Sequence, residues 1–517
     1  MANKNLFQRL FGRRLPPATA INEEGSPAYE LTREQALAQL AATGCLNGTF
    51  YATEREQLDA VLELVNACEP GFVARVALYA REQGLMKDMP ALLCAALAAR
   101  DGALLAAVFP RVIDNGKMLR SFVQILRSGV AGRRSLGTLP RRLVREWLAS
   151  RSEAQLFDAA IGNAPSLADV IRMVHPKPAS AERDQLYRYL LGKAYELDRL
   201  PAEAQRFERW KSERGELPDV NFQRLSSLEL GEAEWRSIAL RATWTTLRMN
   251  LNTFARHGVF ACAETTTVLA ARLADPREVR RARAFPYQIL SALQNLDPAV
   301  PQALRSSLEQ ALEIATEHVP ELPGRTVVAV DVSGSMGSPV TGHRKGSTST
   351  VTCRDVAALF AASILRRNPS ARVIPFHDRI CEVQLDPRAS IPEISATLQR
   401  LPCGGTNCSA VLKHLVQSRA TVDTVIYFSD NESWVDASEG GRSTAMLTQW
   451  RQLRRANPRA KLVCIDLQPY RTVQAPVAED VIHVGGFSDQ VFTVLRAVTA
   501  AESSPDFWVE QIRKIAV

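Results

Sequence analysis

Two carboxylates and three hydroxyls stand where short apolar runs of the sequence end. Asp331, Ser333 and Ser335 follow one such run, Thr406 lies in a glycine-rich loop before a helical stretch, and Asp430 closes a later run. If the runs are parallel strands, their carboxyl ends meet at one edge of a sheet, where ligands bind. Oxygen ligands of this kind suit a hard divalent cation. We therefore predict a metal site for Mg²⁺, with Mn²⁺ as the alternative.

The alternative is a degenerate site without metal, because Asp and Ser at a strand end are also ordinary turn and N-cap residues. Three separate pieces in the right order favour the metal site. Two carboxylates provide little charge, so the ion would keep waters or accept a carboxylate from elsewhere. Catalysis is not expected, since the motif lacks the carboxylate cluster of a two-metal nuclease and an adjacent base. His377 follows a strand but belongs to a different motif, and we expect it to cap or pack there.

Alternating strands and helices must position this site. Val- and Ile-rich runs at 326–331, 371–378, 424–430, 461–467 and 481–486 are separated by helical stretches. This alternation predicts a doubly wound, Rossmann-like α/β domain with a mainly parallel sheet, over residues 323–517.

The pattern of residues 32–318 is helical almost throughout. Thr32 to Gln35 forms a capping-box start, and amphipathic segments separated by Gly and Pro follow it. Helix after helix with short turns predicts stacked antiparallel pairs, either an α-solenoid or a ring, although no strict sequence period is visible. We assign this domain to residues 21–322.

Composition limits the class of protein and its cellular compartment. A chain of 517 residues with 46% hydrophobic and 23% charged residues exceeds one core and fits a multidomain globular protein. No apolar run is long enough to span a bilayer. Residues 1–20 form a basic tail without the apolar core of a secretory signal, and a transit peptide remains the alternative. Nine cysteines without a C-x-x-C pair indicate a reduced, cytoplasmic protein.

Positive charge is concentrated in one stretch of the helical half. Residues 111–145 hold nine basic residues against one acid, which equals the formal net charge of +8 of the whole chain. Such a cluster is typical of a polyanion-binding surface, although a solvated helix face is the ordinary alternative. Its candidate RNA contacts are Lys117, Arg120, Arg127, Arg133, Arg134, Arg141, Arg142 and Arg145.

The second half resembles the von Willebrand factor A family. The sequences Asp-Val-Ser-Gly-Ser (331–335) and Gly-Gly-Thr (404–406) and the late Asp430 match that family's metal-ion-dependent adhesion site (MIDAS). The resemblance implies that Asp331, Ser333 and Ser335 ligate the metal directly. It implies that Thr406 and Asp430 ligate directly or through water, and that an acidic protein ligand meets the metal.

The first half resembles the TROVE module of the Ro 60 kDa autoantigen family. Similar sequences stand at 22–25, 48–51, 79–98, 132–147, 170–178, 244–251 and 280–287. Each motif alone has low specificity. A TROVE module followed by an A domain is, however, the family's own order, and the two domains together cover nearly the whole chain. The resemblance implies a HEAT-like repeat ring followed by the A domain.

The same resemblance implies a function in RNA quality control or processing. Family members bind a small structured non-coding RNA, a Y RNA, on the basic outer surface, and the single-stranded 3′ end of misfolded RNA can enter the hole. Arg172, His175 and Lys177 would contact RNA, and the prolines of His-Pro-Lys-Pro hold that loop extended. Taken alone, His175 would more often be a turn or packing residue. The implied protein is a non-enzymatic monomer without membrane contact, with an exoribonuclease or another RNA-processing protein as partner.

One difference from the family's sequence pattern limits which RNA contacts the resemblance implies for this chain. The family often places Lys-Tyr-x-x-Arg shortly before the histidine motif, whereas this chain has Leu-Phe-Asp-Ala-Ala-Ile-Gly-Asn at 156–163. Those RNA contacts are not expected here, so binding would depend more on Arg127 to Arg145 or involve an RNA of different shape.

Two other functions remain open at this stage. One is a metal-dependent protein–protein adaptor that uses the helical array and the A-domain site without RNA. The other is a metal-dependent ribonuclease or phosphatase, which Mg²⁺-dependent turnover sensitive to Asp331→Ala would reveal.

Overall fold

A computed structural model describes residues 15–43, 46–317, 319–343, 351–434, 443–488, 490–499 and 506–517. It consists of a helical array followed by an α/β domain, as predicted. None of the helices in these ranges is long and apolar enough to cross a bilayer.

The array begins at the predicted capping box. The Thr32 amide donates to Gln35 Oε1 at 3.0 Å, and the Gln35 amide donates to the Thr32 hydroxyl at 3.3 Å. The helices are α1 (Arg33–Thr43), α2 (Glu54–Ala67), α3 (Pro70–Glu82), α4 (Asp88–Arg100), α5 (Gly102–Val112), α6 (Gly116–Ser128), α7 (Thr138–Ser150), α8 (Glu153–Ala159), α9 (Leu167–Val174), α10 (Ala181–Leu190), α11 (Ala202–Glu213), α12 (Phe222–Leu225), α13 (Glu232–Arg241), α14 (Trp244–Met249), α15 (Leu251–Arg256), α16 (Ala263–Leu273), α17 (Pro276–Ala282), α18 (Pro286–Gln294) and α19 (Gln302–Ala315).

Successive helices pack on one another, and the end of the array returns to its beginning. Helix α4 is buried from Met89 to Ala98 because α3, α5 and α6 all contact it. Glu82 and Leu85, at the end of α3, line the same cavity as Arg283 and Ile314 of the α17–α19 region. The helices therefore follow a curved path that brings its first and last members together.

The α/β domain is built on a five-stranded parallel sheet. Its strands are β3 (Thr326–Asp331), β4 (Arg372–Phe376), β5 (Thr424–Ser429), β6 (Lys461–Asp466) and β8 (Val481–Gly485), in the order β4-β3-β5-β6-β8. Its helices are α20 (Cys353–Arg367), α21 (Ile391–Gln399), α22 (Ala410–Gln417), α23 (Ala445–Ala456), α24 (Gln490–Thr499) and α25 (Phe507–Arg513). All five predicted strands are confirmed within three residues at each end.

The sheet order places a crevice next to the predicted metal ligands. From β3 the chain moves to β4 on one side and then crosses to β5 on the other. Loops that leave neighbouring strands in opposite directions separate at the carboxyl edge, and ligands bind at that switch point. Asp331 ends β3 and Asp430 follows β5, so both carboxylates lie at this crevice.

A second, three-stranded sheet joins the two halves and was not predicted. Strands β1 (Ala20–Ile21) and β2 (Pro27–Glu30) form an antiparallel pair, and β2 also pairs with β7 (Thr472–Val473) of the α/β domain. Strands of two to four residues are too short to show alternation, so periodicity could not reveal them.

The end of the chain also packs on the helical array. Helix α25 contacts α1 and α3, and the Trp508 ring meets the Tyr79 ring edge to face at 5.1 Å. Arg513 pairs with Glu34, and Arg75 donates to the carbonyl of Ile515 at 3.2 Å. Both ends of the chain therefore hold the two halves together.

Gly485 at the end of β8 packs tightly on α1, and this contact gives a stability test. A Cβ at this position would lie 2.8 Å from the Cα of Gln39 in α1. We expect Gly485→Ala to lower the free energy of unfolding by about 1–3 kcal/mol, because backbone must shift to admit it. Gly337→Ala is the matched control, since no atom lies within 4 Å of its Cβ position. Equal urea midpoints for the two variants would contradict this close packing.

Candidate metal centre and basic surface

The five predicted metal-site residues, hereafter the metal centre, are all buried: Asp331, Ser333, Ser335, Thr406 and Asp430. The Ser333 and Ser335 hydroxyls lie 3.3 Å apart. Asp430 interacts with both Asp331 and the Ser335 side chain. The structure therefore brings residues from three distant segments of the chain to one place.

Hydrogen bonds orient the Asp331 carboxylate. Its Oδ1 accepts from the Ser333 amide at 2.8 Å, and its Oδ2 accepts from the Ser429 hydroxyl at 2.5 Å. Ser429 is the last residue of β5, so neighbouring strands fix this carboxylate from both sides. Ser429 was not among the predicted residues, although its position at a strand end was visible in the sequence.

The loop of Thr406 is tied to both other segments. The Gly334 amide donates to the Gly404 carbonyl at 2.9 Å, and the Ser433 hydroxyl donates to the Thr406 carbonyl at 3.3 Å. A Cβ on Gly405 would collide with the Trp434 indole, which explains the glycine there. His377 is buried behind this loop, and its Nδ1 accepts from the Asp378 amide at 2.8 Å, so it packs as expected.

Several buried carboxyl groups surround the centre. Burial raises the pKa of Asp331, and burial together with Asp331 raises the pKa of Asp430 to about 7. Burial and the Asp430 carboxylate raise the pKa of Glu432 to about 9, and burial raises that of Asp466 well above its usual range. Sequence reasoning missed both Glu432 and Asp466. Asp466 closes a predicted strand at the same edge of the sheet, and that signal could have found it.

This environment fits a divalent cation. Glu432 Oε1 and Asp466 Oδ1 are buried without a hydrogen-bond partner in the described part of the chain. The Arg354 guanidinium lowers the pKa of Asp331 but does not offset burial, and it donates to the carbonyl of Val332. Within the described ranges no three carboxylate, imidazole or thiol groups converge to hold a metal. An ion here would use two carboxylates with hydroxyls and waters, as the sequence predicted.

Four of the predicted RNA-binding residues are exposed with free side chains. Lys117 and Arg127 lie on α6, Arg134 in the following loop and Arg141 on α7. None of the four forms a hydrogen bond or ion pair with another described residue. Gly129 and Gly137, at either end of the loop, both have positive φ, which glycine adopts without strain.

Other members of the cluster are engaged by the protein itself. Arg133 donates to the Ala98 carbonyl at 2.7 Å, and Arg120 donates to the Ala159 carbonyl. Arg142 forms an exposed ion pair with Glu146 at 3.5 Å. These guanidinium groups contribute charge, but two of them also hold loops and helices in place.

The histidine loop lies beside this cluster. Arg145 of α7 donates to the Val174 carbonyl at 2.5 Å, directly before His175. His175 caps α9 in the left-handed conformation with φ of 50°, and its side chain is exposed, as is that of Lys177. Arg172 is exposed and pairs with Asp169 at 3.0 Å. The structure thus joins two sequence-distant groups, α6–α7 and 172–177, into one area that we call the basic surface.

A cavity at the edge of the basic surface contains residues that sequence reasoning missed. Arg151 and the side-chain amides of Gln155, Asn221 and Gln223 line it together with Lys117. Isolated amides scattered over seventy residues carry no sequence signal, so only the fold reveals this grouping.

Comparison with known proteins supports the order of the two domains. Residues 325–499 match the family model of the Ro60 vWA domain. The chain is 26% identical to the RNA-binding protein RO60 of Deinococcus radiodurans, covering 96% of this chain and 98% of that protein. The chain is thus similar to a Ro60 protein over nearly the whole length of both. A shorter match, also 26% identical, covers 32% of this chain and 26% of the RNA-binding protein RO60 of Caenorhabditis elegans.

A solved structure agrees with the fold. The crystal structure of the Deinococcus radiodurans RO (RSR) protein aligns with a TM-score of 0.63 and 24% identity, covering 91% of this chain and all of that one. The predicted helical array followed by an A domain is confirmed by this match.

The charge balance at the metal centre predicts an unusual pH dependence. Because the pKa of Asp430 is raised in the folded protein, the folded state holds a proton that the unfolded state has lost. The contribution of Asp430 to stability without metal is therefore greatest at low pH and falls as pH rises from about 4 to about 7. At pH 8, we expect Asp430→Asn to raise the metal-free free energy of unfolding by on the order of 1–3 kcal/mol.

Mg²⁺ should reverse this order. Added Mg²⁺ stabilises the unmodified protein by binding its folded state, and Asp430→Asn should lose that gain. Thermal unfolding at pH 5 and pH 8, with and without Mg²⁺, measures both effects. Asp59→Asn on the exposed face of α2 serves as the control. If the unmodified protein without metal gains as much stability from pH 5 to pH 8 as Asp430→Asn does, or more, the predicted sign is wrong.

Proposed function

We propose that the protein binds RNA on its basic surface. The observation that carries this proposal is the contact between Arg145 and the Val174 carbonyl. It brings the free cations of α6 and α7 together with the exposed His175 loop. Both curated relatives are named RNA-binding proteins, which supports the same function.

The chemistry of the surface suits a structured RNA. Lys117, Arg127, Arg134 and Arg141 neutralise phosphates, and their binding weakens as salt rises. The left-handed cap turns His175 away from α9, where its ring can stack on an unpaired base. The amide-lined cavity beside Lys117 offers donors and acceptors to a base edge.

The RNA we propose is a small structured non-coding RNA, similar to a Y RNA, together with the single-stranded 3′ ends of misfolded RNA. The shared cavity between the end of α3 and the α17–α19 region supports a closed array, whose outer surface would bind the first and whose interior would take the second. An exoribonuclease or another RNA-processing protein would then act on the bound RNA. We place this function in RNA quality control in the cytoplasm, with the protein acting as a monomer.

The metal centre has a separate role in this proposal. Mg²⁺, or Mn²⁺ in its place, is held by Asp331, Ser333, Ser335, Thr406 and Asp430 and serves as a binding point for a carboxylate. We propose that it does not carry out catalysis, because both curated relatives are named for RNA binding. The adaptor hypothesis without RNA finds no support in these relatives.

Two variants that each lose four positive charges, one on the basic surface and one elsewhere, test RNA binding. The variant Lys117→Gln, Arg127→Gln, Arg134→Gln, Arg141→Gln removes four exposed cations that form no hydrogen bond or ion pair with another described residue, so the fold should remain. We expect the slope of log affinity against log salt to fall by roughly three, because up to four phosphate contacts are lost. A structured small RNA labelled for fluorescence anisotropy provides the measurement.

The control removes the same charge elsewhere. Arg400→Gln, Lys413→Gln, Arg455→Gln, Arg459→Gln changes four exposed basic residues of the α/β domain. Its salt slope should stay close to that of the unmodified protein. If both variants weaken binding equally, net charge rather than the basic surface binds the RNA. If neither does, the proposed function is wrong.

A further inference from the structure

The amide-lined cavity at the edge of the basic surface has the size of a site for one small group. Its volume is about 390 Å³, within the roughly 300–1,000 Å³ that small-molecule sites occupy. Its walls come from the start of α6, the end of α7, α8 with the residues after it, and the first turn of α12. Because Lys117 of the basic surface also lines it, an RNA bound to that surface would lie next to this cavity.

Arg151 lines the cavity with a guanidinium group that the fold holds in place. Its central carbon lies 4.7 Å from the centre of the Trp147 ring, and its Nη2 donates to the Asp114 carbonyl at 3.2 Å. Trp147 is itself fixed, since its indole nitrogen donates to the Ile113 carbonyl at 2.6 Å. Unpaired RNA bases stack on guanidinium planes as they do on aromatic rings. Arg151 therefore offers a base a flat, fixed surface.

Two of the amide side chains have donors left for a ligand. Asn221 Oδ1 accepts from the Gln223 backbone amide at 3.0 Å, and Gln155 Oε1 accepts from the Ser152 backbone amide at 3.0 Å. Their oxygens are thus engaged by the protein, and their nitrogens form no hydrogen bond with another described residue. Together with Lys117, the cavity therefore supplies several donors to a base edge.

Asp158 is the unusual member of the cavity. Its carboxylate is exposed and forms no hydrogen bond or ion pair with another described residue. The other carboxylate, Asp114, is engaged by Arg81 and by the Asn115 side chain. A free carboxylate repels the phosphates that the basic surface attracts, so Asp158 weakens a purely electrostatic site. It suits a base edge, because an ionised carboxylate only accepts hydrogen bonds and has two oxygens that can do so.

Guanine is the base whose edge matches this carboxylate. Its N1–H and N2–H₂ groups are neighbouring donors, and its O6 and N7 are acceptors for groups such as Lys117. On the Watson–Crick edges of adenine, cytosine and uracil, each donor instead has an acceptor beside it. One oxygen of the Asp158 carboxylate would then face a lone pair.

We propose that this cavity binds one unpaired guanine of the RNA. The base stacks on Arg151, and its N1–H and N2–H₂ donate to the Asp158 carboxylate. This inference rests on the proposed RNA function, and it adds a base preference to a surface that otherwise attracts any phosphate. Asp158 is then the residue that determines specificity, whereas the free cations of α6 and α7 position the RNA.

Hairpin RNAs that carry one variable base in a loop of uridines test this proposal. The loop is single-stranded, so the variable base can turn outward into the cavity. Inosine lacks the N2 amino group and keeps the rest of the guanine edge. Fluorescence anisotropy gives the dissociation constant for each hairpin. We expect the full-length protein to bind the guanine hairpin about tenfold tighter than the adenine hairpin, with inosine between them, as a two-point base contact provides.

Substitution of Asp158 gives opposite results for the two roles that its carboxylate could have. If the carboxylate binds guanine, Asp158→Asn should weaken the guanine hairpin about tenfold and remove its advantage over inosine, because an amide has one acceptor only. If the carboxylate only repels phosphates, the same variant should strengthen all three hairpins equally, and the inference would be overturned. Glu182→Gln is the matched control. It removes one exposed carboxylate from the neighbouring α10, outside the cavity, and should leave the order of the three hairpins unchanged.

Two further outcomes would also decide against the guanine site. Equal affinity of the unmodified protein for the three hairpins would overturn it and leave RNA binding intact. Competition by guanosine monophosphate at the concentration of the RNA would overturn it too, since the cavity would then take a free nucleotide. Failure to bind any of the hairpins would instead overturn the proposed function.

Discussion

The burial of several carboxyl groups at the crevice between β3 and β5 is the constraint on which the rest of the structure depends. Asp331 and Asp430 are buried side by side, with Glu432 and Asp466 buried close behind them. Charges removed from water must be protonated, paired or bound to a cation. Arg354 reaches one carboxylate only and donates its hydrogen bonds to backbone carbonyls, so a divalent ion is the simplest partner for this group.

The same crevice explains why the two halves form one body. Strand β2 adds to β7, the turn after β1 contacts residues 432–434, and α25 packs on α1 and α3. At the other end of the helical array, the Ile391 amide of α21 donates to Glu313 of α19 at 3.2 Å. The α/β domain thus contacts both the beginning and the end of the helical array. It helps to hold the first and last helices of the array close together.

The sequence was sufficient to predict site residues at the ends of strands and helices. It was not sufficient to predict residues that form contacts between the two domains. Four of the five predicted metal-site residues follow buried, strongly patterned strands, and Thr406 lies in a glycine-rich loop before α22, so their convergence could be expected from the sheet topology. Local sequence periodicity does not encode how the two halves dock. The positions of Tyr51, Glu432 and strands β1, β2 and β7 depend on that docking. The basic cluster was visible as charge, but the engagement of Arg133 and Arg120 by backbone carbonyls required the fold.

The basic surface and the metal centre suit two different kinds of negatively charged ligand. The basic surface on α6, α7 and α9 keeps cations exposed and free, as is suited to phosphates that arrive with their own counterions and water. The residues of the metal centre are instead buried at the sheet edge, where a single carboxylate would be the fitting ligand for the proposed hard ion. An RNA phosphate would have to displace the β1–β2 turn to reach that ion, whereas it meets the free side chain of Arg134 without any rearrangement. The proposed RNA surface and the proposed metal site therefore lie at different places in the protein.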